Sequence, residues 1–171
     1  MLTKRPIIQI QKSGVDKVLE LLTLVCIVAG WILIALSYNQ LPNIIPVHYN
    51  LMGEVDNYGA KETIWILPVV VTLVIAGIYS LNKYPHYFNY MVDIHEKNAE
   101  SQYTAATRLI RLIQFMVALV FLVIILDLIS SAKGDKSFLG AWFVPVILTM
   151  FTVPVVITIF KSNVKSPTWG S

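Results

Sequence analysis

Charge is scarce in this chain. Of 171 residues, Lys and Arg account for 13 and Asp and Glu for 10, so charged residues make up 13% of the sequence. A soluble domain carries about 25%, and the shortfall excludes an ordinary soluble globular enzyme. Disorder is excluded as well, because it needs low hydrophobicity and high net charge, whereas this chain is 56% hydrophobic with a net charge of +3. Cysteine is nearly missing. Cys26 stands alone, so neither an internal disulfide nor a Cys-based zinc site can form; inside an apolar run it reads as a small buried hydrophobe. The short motifs of catalysis are absent too: no HExxH, no paired histidines, no glycine-rich phosphate loop, no Ser-His-Asp or Cys-His arrangement. The sequence therefore gives no reason to expect an enzyme, a cofactor or a resident metal. The basic residues flank apolar runs, where anionic lipid headgroups account for them better than nucleic acid does.

What the chain does have is long apolar runs. Four of them, at residues 18–36, 63–81, 109–129 and 138–160, approach the roughly 20 residues that a helix needs to cross a bilayer. Backbone amides in hydrocarbon must be bonded internally, which favours helices. The runs are apolar on all sides rather than amphipathic, and none alternates with the period of a barrel strand. The expected fold class is all-α: a polytopic integral membrane protein with four transmembrane helices and a short ordered outer loop that can form a hairpin. The first run follows a basic stretch, as a signal peptide does. Its length of about 19 residues exceeds the usual apolar core of about 7–15, and no A-x-A-like cleavage site follows. It is expected to be retained as the first span.

Lys and Arg near the span ends set the orientation. Lys4, Arg5, Lys12 and Lys17 precede the first run; Lys83, Lys97, Arg108 and Arg111 lie between the second and third or just inside the third; Lys161 and Lys165 follow the fourth. Only Lys61, Lys133 and Lys136 remain for the other side. Both termini are therefore expected in the cytoplasm: segments 1–17, 82–108 and 161–171 inside, the 37–62 loop and the 130–137 turn outside. Tyr38, Trp65, Phe138 and Trp142 would mark the outer interface, and Tyr79, Tyr84, Phe160 and Trp169 the inner one. Trp31 is too deep for such a belt and is expected to pack against another helix. In the inner segment, Asp93-Ile94-His95-Glu96 has the form of a helix start, with Asp93 as cap and Glu96 reaching back. The third span would then extend inward as a docking helix carrying Asp93, Glu96, Lys97 and Arg108.

The outer loop is the most distinctive stretch. Pro42 and Pro46 forbid helix and favour extended backbone. Residues 50–53 read as a turn between extended pieces at 47–49 and 55–58. Its polar cluster, His48, Asn50, Glu54 and Asp56, together with Pro46 and Gly53, is the candidate site. Three roles stand open for it: stabilising turns and helix ends, contacting a secreted peptide or partner, or holding a divalent cation. Asp127 is the costliest residue in the spans, yet it lies only about 3 Å from the end of its run. Lys133, Lys136, Lys61 or His48 are its expected partners, with Asp127–Lys133 the leading polar pair. Glu20 and Arg111 are placed to pair across helices. The span interiors carry Thr72, Leu119 and Thr149 near the midplane and no charge, which argues against a transporter working alone.

The run Leu41-Pro42, Ile45-Pro46, His48, Asn50, Gly53, Asp56, Tyr58-Gly59-Ala60-Lys61 resembles the signature of the SdpI-like immunity-protein family, in its N-terminal domain of unknown function 1648. Pro85, Phe88-Asn89-Tyr90 and Asn98-Ala99 through Tyr103 resemble the segment that follows in relatives. The chain is similar to a truncated, four-span form of that family. The resemblance implies a bacterial polytopic protein of the cytoplasmic membrane. It further implies protection against a secreted toxic peptide and signalling through capture of a cytoplasmic regulator. The function expected is non-enzymatic peptide-toxin immunity or envelope-stress sensing through the outer loop. A small transporter subunit or efflux partner is the alternative, and a membrane metalloenzyme stands third.

Overall fold

A computed structural model describes residues 5–164. Lys4, Lys165 and Trp169, used above for orientation and the inner aromatic belt, lie outside the described residues, as does most of the 161–171 tail. The elements run α1 (Gly14–Ser37), β1 (Ile44–Tyr49), β2 (Val55–Ala60), α2 (Ile66–Leu81), α3 (Ala99–Ala132) and α4 (Phe143–Val164). The helical segments Gly14–Gln40, Lys61–Leu81, Ala99–Ala132 and Phe143–Lys161 are each long and apolar enough to cross a membrane. The chain is thus all-α in its spans, with one small hairpin between the first two.

Residues 5–6 and Lys161, near the two ends of the described segment, lie at one end of the bundle. The Arg5 guanidinium donates to the backbone oxygens of His86 (3.2 Å) and Phe88 (2.5 Å), and the Tyr103 hydroxyl donates to Pro6 O at 3.1 Å. Lys161 lines a crevice there with Ser101 and Arg108. The hairpin sits at the opposite end, packed on Ile34, Ile125, Leu128 and Ile129.

α3 is the central post. The buried residues of α1 are Asp16, Thr23, Cys26, Gly30 and Ile34. They recur at intervals of three, four and seven, which aligns them on one helix face. Gly30 lets α3 come close: a Cβ there would meet Ile125 Cδ1 at 3.1 Å. Trp31 donates its indole N–H to Thr72 Oγ1 at 3.1 Å and lies 5.9 Å from the Trp65 ring, so it packs against α2 as its depth implies. α4 makes its main contact with α3, and none of its apolar window is buried among the described residues.

Helix boundaries depart from the hydropathy runs for identifiable reasons. α1 starts at Gly14, ahead of residue 18, because Ser13 and Asp16 form a reciprocal capping box. α3 starts at Ala99 rather than Asp93. The Asn98 amide accepts from His95 N (2.9 Å) and donates to Asp93 O (2.8 Å), which folds 93–98 into a turn and leaves Asp93, Glu96 and Lys97 ahead of the helix. α4 starts at Phe143 rather than 138, because the amides of Phe138 and Leu139 are held by Asp127.

Candidate functional site

β1 and β2 pair antiparallel, Ile44 with Ala60, Ile45 with Gly59 and Pro46 with Tyr58, before the register slips around His48. Proline lacks the N–H that a ladder needs, and such positions favour edges and irregular pairing. Ile45 is wholly buried against the helix ends. Pro46 is buried as well, so it supports the hairpin from within. The turn is closed by Asn50. Its Oδ1 accepts from Met52 N (2.8 Å) and Glu54 N (3.0 Å), and its Nδ2 donates to Glu54 Oε2 (3.0 Å). Gly53 adopts φ +76°, and a Cβ there would lie 1.7 Å from Leu139 O. Only glycine fits, because the conformation is left-handed and the α3–α4 connector is pressed against it. Gly53 therefore docks the hairpin tip on the connector.

The remaining polar residues face outward. His48 Nδ1 and Asp56 Oδ1 are 2.5 Å apart, both well exposed, and Glu54 is exposed beside the turn. Two large apolar side chains share this tip: Leu51 is 80% exposed and Met52 64%. Among the described residues no three His, Cys, Asp or Glu side chains gather closely enough to hold a metal. The face can offer a carboxylate–imidazole pair flanked by apolar groups, a combination suited to binding.

Beneath the hairpin, Asp127 is fully buried. Its carboxylate accepts from Phe138 N (2.7 Å), Leu139 N (3.2 Å) and the Ser137 hydroxyl (2.9 and 3.0 Å), with Ser131 Oγ at 3.4 Å. The expected pair with Lys133 does not form. Lys133 donates to Gln40 Oε1 at 3.2 Å instead. Backbone amides and a hydroxyl reach a buried carboxylate without a second charge having to be desolvated. The Tyr49 hydroxyl is buried near Ser131 and Asp127 without a well-formed hydrogen bond to either. That burial pushes its pKa up to about 12.

At the terminal end the carboxylates meet cations. Asp16 accepts from Arg108 Nε at 3.1 Å, with Arg111 Nη1 at 3.7 Å. Glu20 accepts from Arg111 Nε at 2.9 Å and Lys12 Nζ at 2.7 Å. The Glu20–Arg111 pair is the one its helix positions imply. The Glu20 hydrogen bond holds the Lys12 pKa above its ordinary value, against the opposing effect of burial. Arg108 is thus engaged with Asp16 and Ser13, and the proposed row Asp93, Glu96, Lys97 and Arg108 does not form one helical docking face. The Asp16 bridge to α3 is not among the pairs that the span-end charges imply. Its signal was available in the Ser13-x-x-Asp16 spacing, a capping-box pattern.

Residues 25–72, from the middle of α1 through the hairpin into α2, match a family model described as a domain of unknown function, DUF1648. An uncharacterized protein of Archaeoglobus fulgidus is 35% identical over 85 residues, covering 45% of this chain and 46% of that relative. The match thus spans about half the length of each. No solved structure matches the chain.

Proposed function

We propose that this chain is a non-enzymatic interaction protein of the cytoplasmic membrane, akin to SdpI-like proteins, acting in peptide-toxin immunity or envelope-stress sensing. In this reading both termini are cytoplasmic and the hairpin faces outward. The single observation that carries it is the hairpin tip. The hairpin is anchored by Ile45 in β1 and by Gly53 in the turn, yet Leu51 and Met52 stand exposed at the same turn as the His48–Asp56 pair. Exposed apolar side chains on a rigid, polar-rimmed element mark interaction sites. A secreted amphipathic peptide presents the matching chemistry of apolar and cationic groups. The DUF1648 match centres on this same segment.

Expression in a peptide-sensitive bacterium tests the reading. Cells carrying the protein should survive a panel of secreted antimicrobial peptides better than cells without it. The double variant Leu51→Ser/Met52→Ser and the variant Asp56→Ala should lose that protection at unchanged membrane abundance. Equal sensitivity with and without the protein counts against it. The second reading, a small transporter subunit or efflux partner, draws on α4, whose apolar window has no burial within the described residues. Co-purification of a larger transport protein that is lost on substituting the exposed α4 residues Val146 and Val153 with Trp favours that alternative.

A further inference from the structure

At the terminal end, a cavity of about 420 Å³ opens between the N-terminal segment and the α2 exit, lined by Lys12, Lys83, Arg111, Tyr79, Tyr84 and Asn82 among others. A second cavity, of about 310 Å³, lies between α1 and α2 and is lined by Leu24, Ile27, Ile75 and Ala76. Glu20, Tyr79 and Arg111 line both, so the two adjoin at these side chains. Their chemistry differs sharply. The Lys12 and Lys83 ammoniums lie 5.4 and 5.1 Å from the centre of the same Tyr79 ring. Glu20 answers Lys12 and Arg111 together, whereas Lys83 has no carboxylate partner among the described residues. The upper cavity thus carries surplus positive charge. In its wall, Asn82 is 8% exposed and donates to Thr107 O at 3.1 Å, which ties the α2 exit to α3.

Apart from Glu20 and Arg111, which pair with each other, the second cavity is lined mainly by apolar side chains and by polar groups that are already bonded. The threonine hydroxyls on its walls turn back onto their own helices, Thr23 to Leu19 O (2.8 Å) and Thr72 to Pro68 O (2.6 Å). Gln114 spends its amide on Ile75 O at 3.2 Å. A cationic cup at the end of a membrane span, continued by an apolar groove along that span, has the polarity profile of a phospholipid. We propose that the α1–α2 face binds one acidic glycerophospholipid, its phosphate between Lys12 and Lys83 and an acyl chain in the groove beside Ala76. Lys83 supplies the charge that favours an anionic headgroup, and the Lys12 and Lys83 ammoniums, both held over the Tyr79 ring, flank the place the phosphate would take. The lipid, rather than a free anion, is the occupant because the groove continues into the apolar span.

Native mass spectrometry of the detergent-solubilised protein tests this. The probes are phosphatidylglycerol and phosphatidylcholine with identical acyl chains, with inorganic phosphate as soluble competitor. Phosphatidylglycerol should be retained about tenfold over phosphatidylcholine, a difference of about 1.4 kcal/mol. Lys83→Gln should remove most of that preference, whereas Lys136→Gln, an exposed lysine at the hairpin end, should leave it intact. Ala76→Phe, which fills the groove from the exposed face of α2, should reduce retention of both lipids. Equal retention of the two lipids overturns the proposal. So does an unchanged preference in Lys83→Gln, or displacement of phosphatidylglycerol by inorganic phosphate, which would mark an anion site without an acyl chain.

Discussion

The two ends of the bundle bury carboxylates and satisfy them in opposite ways. At the hairpin end, Asp127 takes two backbone amides and a serine hydroxyl and meets no cation. At the terminal end, Asp16 and Glu20 meet Arg108, Arg111 and Lys12. The difference lies in what each anion organises. An amide belongs to the chain that carries it, so Asp127 dictates the path of the α3–α4 connector and, through Leu139, the seat of the hairpin tip. A guanidinium sits on a long side chain of a separate helix, so Asp16 and Glu20 fix how two already formed helices lie against each other.

Substitution separates the two modes. The largest effect is expected for Asp127→Ala, which strips two charge-assisted amide bonds and leaves their donors buried. Each such bond contributes about 2 kcal/mol, so a loss of about 4 kcal/mol should appear in detergent unfolding, with new protease cleavage between residues 133 and 142. No single added lysine should restore it, because no side-chain cation serves that site. Arg111→Ala should cost about 3 kcal/mol, since it removes a buried partner and leaves carboxylates under-compensated. Here the charge swap Glu20→Arg/Arg111→Glu should recover part of the loss in a double-mutant cycle. Recovery at the hairpin end, or none at the terminal end, would erase the distinction.

Gly53→Ala should cost about 2 kcal/mol, combining the left-handed backbone with the clash against Leu139 O. The loss should be confined to the hairpin, read as faster amide exchange across 44–60 with the spans unchanged. The smallest effect belongs to Tyr49. Its pKa rises from about 10 to about 12 on folding, so the folded state favours the neutral phenol. The unfolded chain loses the proton first, and stability should be flat below pH 10 and fall between pH 10 and 12. Tyr49→Phe should abolish the part of that slope due to this residue, with little cost at neutral pH, because the hydroxyl makes no well-formed bond.

The spans were legible because hydropathy is a property of a residue and its neighbours in sequence. The hairpin was legible because Pro42, Pro46, Asn50 and Gly53 each carry a backbone constraint visible in the residue type. Glu20–Arg111 was legible because two unlike charges near matching span ends have few other partners. Asp127 was not. Its partners are main-chain amides, which every residue other than proline carries, so nothing in the sequence marks Phe138 or Leu139 as donors. The start of α3 was misplaced for a related reason. Asp93 and Asn98 are both good caps, and only the folded chain shows that the Asn98 side chain is used to close the preceding turn.

The contact between Gly53 and the Leu139 carbonyl has a mechanical consequence. The hairpin tip leans on the connector a few residues before α4 begins, and α4 is the helix least held by its neighbours. Because Asp127 grips the Leu139 amide, a load on the tip is shared at that residue between α3, the central post, and the short stretch that leads into α4.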